Sequence, residues 1–513
     1  MAGAGRRGRP FADGPGSIKR RSTPLLAGAR RGRRVYISGV SPPPATAEFP
    51  TQPLPAAPGG AAPARSRARA VLLALAVAVA FADSSIVVLA LPELLGAFDT
   101  TIGSVSWVVT AYNVAVAALA LALIPLVRRL DAARLTRWGL VIFCAACVAC
   151  AVAGGLGVLV GARAVQGAGA ALLLAGSVPL LGAACGSARR GALVWGTAGV
   201  MGAAVGPALG GALTQAFDWR AIFIAQVPLA AAALAATVRA PAPPREAAAA
   251  GPDGDRAGRW VSGAALALVS AALVGALFLA VVLMIDGWGH PPLLAAAIVS
   301  ALPLGALLAG PLARWSAPLV AVCGGVVLVA GSLVAMALLP EASLTMLGAA
   351  LGLCGLGLGL SLPALTDASL RGPSLAASGT WSVGVRHAGL VLGLVLMTPL
   401  LASDLSGTED RARLAGAAAL IEAPLSIEDK VVVGLELERA IDRAPAGEVP
   451  DLRPAIAAGG DPDSAGRVAL GDRLEAVISD AITRGFRGAF ILCAVLAALA
   501  LLPVAALRGR ALR

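Results

Sequence analysis

Residues 70–92 read AVLLALAVAVAFADSSIVVLALP. About twenty apolar residues cross a hydrocarbon core, so this stretch reads as a membrane-spanning helix. Its one ionisable group is Asp83. At the centre of a membrane helix an Asp costs about 2.5–3.5 kcal/mol on insertion scales, and such residues normally face the protein interior. The segment therefore implies a bundle of helices around it and a use for the carboxylate.

The rest of the chain agrees. It is 58% hydrophobic and 14% charged, with a mean hydropathy of +0.82, where soluble domains carry about 25% charged residues. Twelve blocks have spanning length. Six lie at about 70–92, 105–127, 138–154, 157–183, 191–213 and 220–238; six more lie at about 261–284, 292–311, 317–339, 344–365, 384–402 and 487–507. The reading is an all-α polytopic membrane protein, with about 12 transmembrane helices in two six-helix bundles.

The polar segments divide the chain further. Residues 1–69 form a basic tail, Pro-, Gly- and Ala-rich and without apolar period, and are expected to be disordered. An over-extended start site is an equal reading of that stretch, and no cleavable signal peptide is evident. The N-terminal bundle is expected over 70–238, a cytoplasmic linker over 239–260, and helices 7–11 over 261–402. Residues 403–486 hold sixteen acids and nine bases and read as an extracytoplasmic helical insertion. SIED at Ser426–Asp429 reads as a helix start, with Ile427, Val431 and Leu435 as one apolar stripe. Leu470, Leu474, Val477, Ile478 and Ile482 form a second. Helix 12 follows over 487–507, then a cytoplasmic tail, 508–513.

Orientation follows from the bases, which collect in cytoplasmic loops. Arg128, Arg129, Arg134, Arg137, Arg189, Arg190, Arg239, Arg245, Arg256, Arg259, Arg314 and Arg371 all fall on one side. The opposite loops carry Glu93, Asp99, Asp218, Asp286 and Glu341, with Arg220 the exception. Both termini are thereby expected in the cytoplasm. Seven of the eight tryptophans, Trp195 excepted, fall at or near expected helix ends, where membrane interfaces favour them.

Few residues offer chemistry. Asp83 and Arg163 are the acid and the base well inside spans of the first half, at depths differing by only a few Å at 1.5 Å per residue. Two readings stand: a structural ion pair, or a pair whose protonation or partner exchange couples to substrate movement. Cys144, Cys147 and Cys150 share a helix face and read as packing. No metal site or cofactor is expected, since the two histidines, His290 and His387, are remote from them. Arg386 and His387 are expected to open helix 11 near the cytoplasmic edge, where a hydrated histidine is the plainer reading and a proton relay the alternative. No GxxxxGK[ST] stretch supports ATP-driven pumping, and the net charge of +12 is distributed as tail and loop clusters that suggest no nucleic acid.

Several ordered motifs add a family. ADSSIVVLALP at helix 1, WVVTAYN at Trp107–Asn113, GARAVQGAGAA at Gly161–Ala171, GPALGG at Gly206–Gly211 and WRAIFIAQVP at Trp219–Pro228 together resemble the major facilitator superfamily, in its drug–proton antiporter branch. The second half matches more loosely, through FLAVVLMIDGWGHPPLLAAAIVSALPL. The resemblance implies the two-bundle fold of that family and proton-coupled efflux of amphipathic or drug-like compounds. By this resemblance Asp83 and Arg163 serve coupling, and Gln166 and Gly167 belong to the helix-4 motif. Gly206, Pro207, Gly210 and Gly211 form the antiporter motif; close packing or a kinked seam that resists leak explains these residues equally. Tyr112 and Asn113 are candidates for cavity lining. The helix 2–3 loop, RRLDAARLTRW, departs from the family pattern in lacking glycine, so the gating role implied for Asp131 is an open expectation.

The expectation is thus a transporter, not an enzyme, in a bacterial plasma membrane. Its partners are the lipid bilayer, a small-molecule substrate and protons, and it works as a monomer. Uptake or facilitated diffusion on the same fold is the first alternative; a membrane-embedded enzyme and a non-transporting sensor are those of other classes.

Overall fold

The computed structural model describes residues 64–238, 256–370, 374–443, 452–458, 460–461 and 464–507. The expectations for most of the basic tail, for the linker's 239–255 and for residues 508–513 lie outside these. Among the described residues there are helices and no strand, and twelve stretches are long and apolar enough to span a membrane. The first six are α1 (Ser66–Phe98), α2 (Ile102–Leu123), α3 (Ala132–Ala151), α4 (Leu156–Ala184), α5 (Ala188–Ala216) and α6 (Arg220–Thr237). The others are α7 (Ala257–Gly287), α8 (Pro292–Trp315), α9 (Pro318–Ala337), α10 (Leu344–Leu370), α11 (Leu375–Leu405) and α12 (Ala465–Ala506).

Local chemistry sets the ends. Thr101, Asp131, Ser187 and Ser374 each accept a backbone N–H of the first turn of α2, α3, α5 and α11, filling donors the helix itself leaves open. Pro92 has no N–H to give, and the turn before it, Val87–Ala90, tightens to a 3₁₀ turn within α1.

The packing repeats. In the first half α1 lies against α5 and α6, α2 against α4, and α3 against α4 and α6. In the second half α7 lies against α11 and α12, α8 against α10, and α9 against α10 and α12. Each contact maps onto its partner by adding six, so the halves are repeats of one bundle, as in transporters with a site between two halves. The bundles meet through α2 with α11 and α5 with α8, again a related pair.

Small residues make these seams, because lipid tails give helices no hydrophobic reason to associate and close backbone contact must do it. A Cβ on Gly202 would fall on the backbone of Ala78, and one on Gly210 on the carbonyl of Ile86, so α5 and α1 touch main chain to main chain. Gly389 and Gly393 repeat this between α11 and α7, meeting the carbonyls of Ala267 and Ala271.

Several expectations need correction. The helix at α11 begins at Leu375, nine residues before the expected start at 384, and continues unbroken to Glu422, a single helix of 48 residues. Arg386 and His387 therefore sit about three turns inside it, not at its mouth. Trp219 and Trp381 turn inward and are buried, while Trp107, Trp138, Trp260 and Trp315 stay exposed at the surface.

Beyond Leu405 the described part of the acidic segment is mostly helical. The end of the long helix, Ile427–Arg443, Arg453–Ala457 and Ala465–Gly485 enclose a small core of Ala419, Val433, Leu437, Ile456, Leu470 and Leu474. Ser426 caps as expected, accepting from the Asp429 N–H at 3.1 Å. The expected stripe of Ile427, Val431 and Leu435 is exposed, because Val433 and Leu437 take the inward face. Of the second stripe Leu470 and Leu474 are buried. Buried Arg467 ties the segment together through Ile456 O, Ala458 O and Asp429. The Ser426 hydroxyl, first, and Arg467 hold the Asp429 carboxyl below its ordinary range. Trp288 Nε1 donates to Thr483 Oγ1 at 3.0 Å, fixing the segment's stem to the end of α7.

Candidate functional site

Three consecutive polar residues of α1 each bind a different part of the N-terminal bundle. Asp83, fully buried, takes Arg163 of α4 in an ion pair on Oδ2. Its Oδ1 accepts from Gln166 Nε2 at 3.1 Å and from Gln226 Nε2 of α6 at 2.8 Å. Ser84 Oγ donates to Asn113 Oδ1 of α2 at 3.1 Å. Ser85 Oγ shares its proton between Ala82 O and Ala203 O of α5, at 3.0 and 3.2 Å.

The last contact explains Pro207. Proline has no N–H for the carbonyl four residues back, which here is Ala203 O, and a carbonyl left bare in the membrane is costly. The Ser85 hydroxyl satisfies it from the next helix. Gly206 allows the approach, since a Cβ there would collide with Ser85 Oγ. Gly211 serves a different seam: its Cβ would strike Ala296 of α8, across the bundle interface.

Arg163 is equally enclosed. Its Nε donates to Val108 O at 2.9 Å and its Nη1 also reaches Gln166 Oε1 at 2.6 Å. The guanidinium lies over the Tyr112 ring, 4.4 Å from its centroid, with Phe223 at 5.7 Å. Tyr112 is locked by its hydroxyl, which donates to Ala80 O at 2.7 Å. Gly167 lets α4 come close enough, because a Cβ there would fall on Tyr112 O. Arg163 Nη2 and Gln226 Oε1 are buried and unpartnered, so a spare donor and a spare acceptor lie beside Asp83.

The network reaches the second bundle through Asn113. Its Nδ2 donates to Val109 O at 2.8 Å, which leaves Oδ1 as the acceptor for Ser84 and for His387 Nδ1 of α11 at 2.7 Å. That pattern assigns the histidine proton to Nδ1. The imidazole stacks on Phe81, centroids 6.0 Å apart, and its Nε2 is buried without a partner.

The structure thus brings together Asp83, Arg163, Gln166, Gly167, Tyr112 and Asn113, and sets Gly206, Pro207 and Gly210 on the adjoining α1–α5 seam. Asp131 stands apart: its Oδ1 accepts from the Arg134 N–H at 2.8 Å as the cap of α3. Four contributors were not assigned to this site from sequence. Gln226 lies within the quoted WRAIFIAQVP, as a polar residue six positions into a span. His387 was placed at a hydrated edge. Cys147 and Cys150, read as packing, also contact the Gln166 amide at 3.2 and 3.6 Å. Among the described residues no cluster of three or more His, Cys, Asp or Glu is placed to hold a metal ion.

Chemically, the site is a buried carboxylate held by donors from two other helices, within one bundle of a two-bundle repeat. Residues 73–403 match the Major Facilitator Superfamily as a family. The chain belongs to the major facilitator superfamily. With twelve helices among the described residues long and apolar enough to span a membrane, it is a multi-pass membrane protein of this transporter superfamily.

Relatives and solved structures agree with that placement. A methylenomycin A resistance protein of Streptomyces coelicolor is 32% identical over 160 residues, 31% of this chain and 34% of the relative. The multidrug resistance protein Stp of Mycobacterium tuberculosis is 30% identical over 162 residues, 30% of each. The chain thus matches about a third of these relatives' length. A bacterial homolog of the human lysosomal transporter Spinster, in an inward-facing and unoccupied conformation, shares the fold at a TM-score of 0.56 and 16% identity, covering 87% of this chain and 99% of that one.

Proposed function

We propose that this transporter exports a small amphipathic, drug-like compound across the plasma membrane in exchange for protons, with Asp83 and Arg163 as the coupling pair. The observation that carries the reading is the fully buried Asp83, held by donors from α4 and α6. Alternating access shifts helices against one another. A carboxylate that loses donors in a dry interior takes up a proton, and one that regains them releases it. Tyr112 fixes Arg163 beneath this exchange, and the spare donor and acceptor on Arg163 and Gln226 give the network room to rearrange.

Export as the direction is supported by the resistance names of the partial relatives. Cytoplasmic termini follow from the arginine bias of the loops. Action as a monomer is supported by both bundles belonging to one chain. The test is transport by the purified full chain in proteoliposomes, across a panel of amphipathic compounds, with the pH gradient set by the experimenter. Proton-driven extrusion that collapses with the gradient is the expected result. Accumulation in the opposite sense would replace export by uptake, and flux indifferent to the gradient would replace it by facilitated diffusion.

A further inference from the structure

Arg386 is a cation inside a membrane helix with no counter-ion among the described residues. Among the described residues it takes part in no hydrogen bond or ion pair; its guanidinium lies over the Phe81 ring, 4.8 Å from the centroid. The carboxylate on the same helix as Phe81, Asp83, is occupied by Arg163. Phe81 is buried and meets the edge of Trp195 of α5 at 5.5 Å, so this face of α11 looks into the seam between the bundles and not toward lipid. Arg386 is nevertheless partly exposed, with its Nε lacking a partner. On the same Phe81 ring lies His387, whose unpaired Nε2 is an acceptor by the tautomer assigned above.

We propose that Arg386 is the anion-recognition residue of the transport path, and that the substrates are carboxylates with an apolar or aromatic body. A guanidinium accepts a carboxylate as a two-pronged, charge-assisted pair. Phe81 offers the apolar body a surface beside it, and His387 Nε2 favours compounds with a hydrogen-bond donor near the acid. A cationic substrate would meet an uncompensated like charge in the seam. A charged residue in a membrane span is retained for function in this way, with the substrate as its partner. The proposal deepens the export reading and rests on it only for the direction of movement.

The test is binding to the purified full chain in micelles, using naphthalene and biphenyl carboxylates, each beside its primary amide and its aminomethyl analogue. At least one carboxylate should bind about ten-fold or more tighter than both analogues, as a charge-assisted pair requires. Arg386→Gln should bring the three within about two-fold, and Arg386→Lys, which keeps the charge without the fork, should fall between. A panel in which no carboxylate outbinds its amide overturns the proposal, whether or not anything binds, and so does a preference retained by a folded Arg386→Gln. Loss of gradient-driven flux with the carboxylate preference intact would end the export reading and leave this site standing.

Discussion

Asp83→Asn separates a coupling carboxylate from a structural one. The substitution keeps the shape and removes the charge, and its consequence can be followed atom by atom. Arg163 loses its ion pair and keeps Val108 O, Gln166 Oε1 and the Tyr112 face. Removing one partner of a buried pair costs about 3–5 kcal/mol. The lower end applies here, because Gln226 Oε1 is unpartnered and a flip of that amide would accept from the new Asn amide. A loss of about 3 kcal/mol is a large share of the roughly 5–15 kcal/mol that holds a folded domain. Arg163→Gln in the same chain removes the stranded cation, so the double variant should regain most of it. Equilibrium unfolding in mixed micelles reads the stability arm, and pH-gradient-driven flux in proteoliposomes reads the transport arm. Coupling predicts that the double variant recovers stability and not gradient-driven flux. Wild-type flux by Asp83→Asn would refute the reasoning outright, and a double variant no more stable than the single would refute the pairing.

Other outcomes follow from the same geometry. Gly202→Val should cost about 1–3 kcal/mol through overpacking, since its Cβ lands on the Ala78 main chain; an unfolding midpoint equal to wild type would show that α1 and α5 do not touch there. Asp131→Asn preserves a capping side chain and Asp131→Ala removes it, so a purely capping role predicts that only Ala destabilises, by about 1 kcal/mol; lost transport in a stable Asn variant would restore the gating role to the charge. Folding depresses the carboxyl of Asp429, so its contribution to the acidic segment is full above its ordinary value of 3.8 and is lost as pH falls below that through the lowered value. Acid unfolding of the segment should therefore be less steep in Asp429→Asn. Ile427 is 82% exposed, and Ile427→Cys in a background without native cysteines should react with an impermeant thiol reagent on intact cells; reaction only after permeabilisation would reverse the orientation.

The membrane class, the twelve spans and the Asp83–Arg163 pairing were legible in the chain because each rests on local quantities. Spanning length, uncharged composition and helical rise are properties of a segment, and an acid and a base inside spans must find each other or water. Glycine spacing on α5 announced a close seam for the same reason, although its partner could not be named. What lay beyond the sequence depended on rotation about helix axes and on contacts between distant segments. Nothing local says that Gln226 turns to Asp83 and not to lipid, or that Val433 and not Val431 faces the core of the acidic segment. His387 was misplaced because an apolar run can begin later than its helix: Ser374 starts α11 well before the hydrophobic stretch, which draws Arg386 and His387 into the interior. Their surroundings come from α1 and α2, some 270 residues or more earlier. A side chain's partners are fixed by which helices the two bundles bring together, and that is a property of the packed repeat, not of any one span.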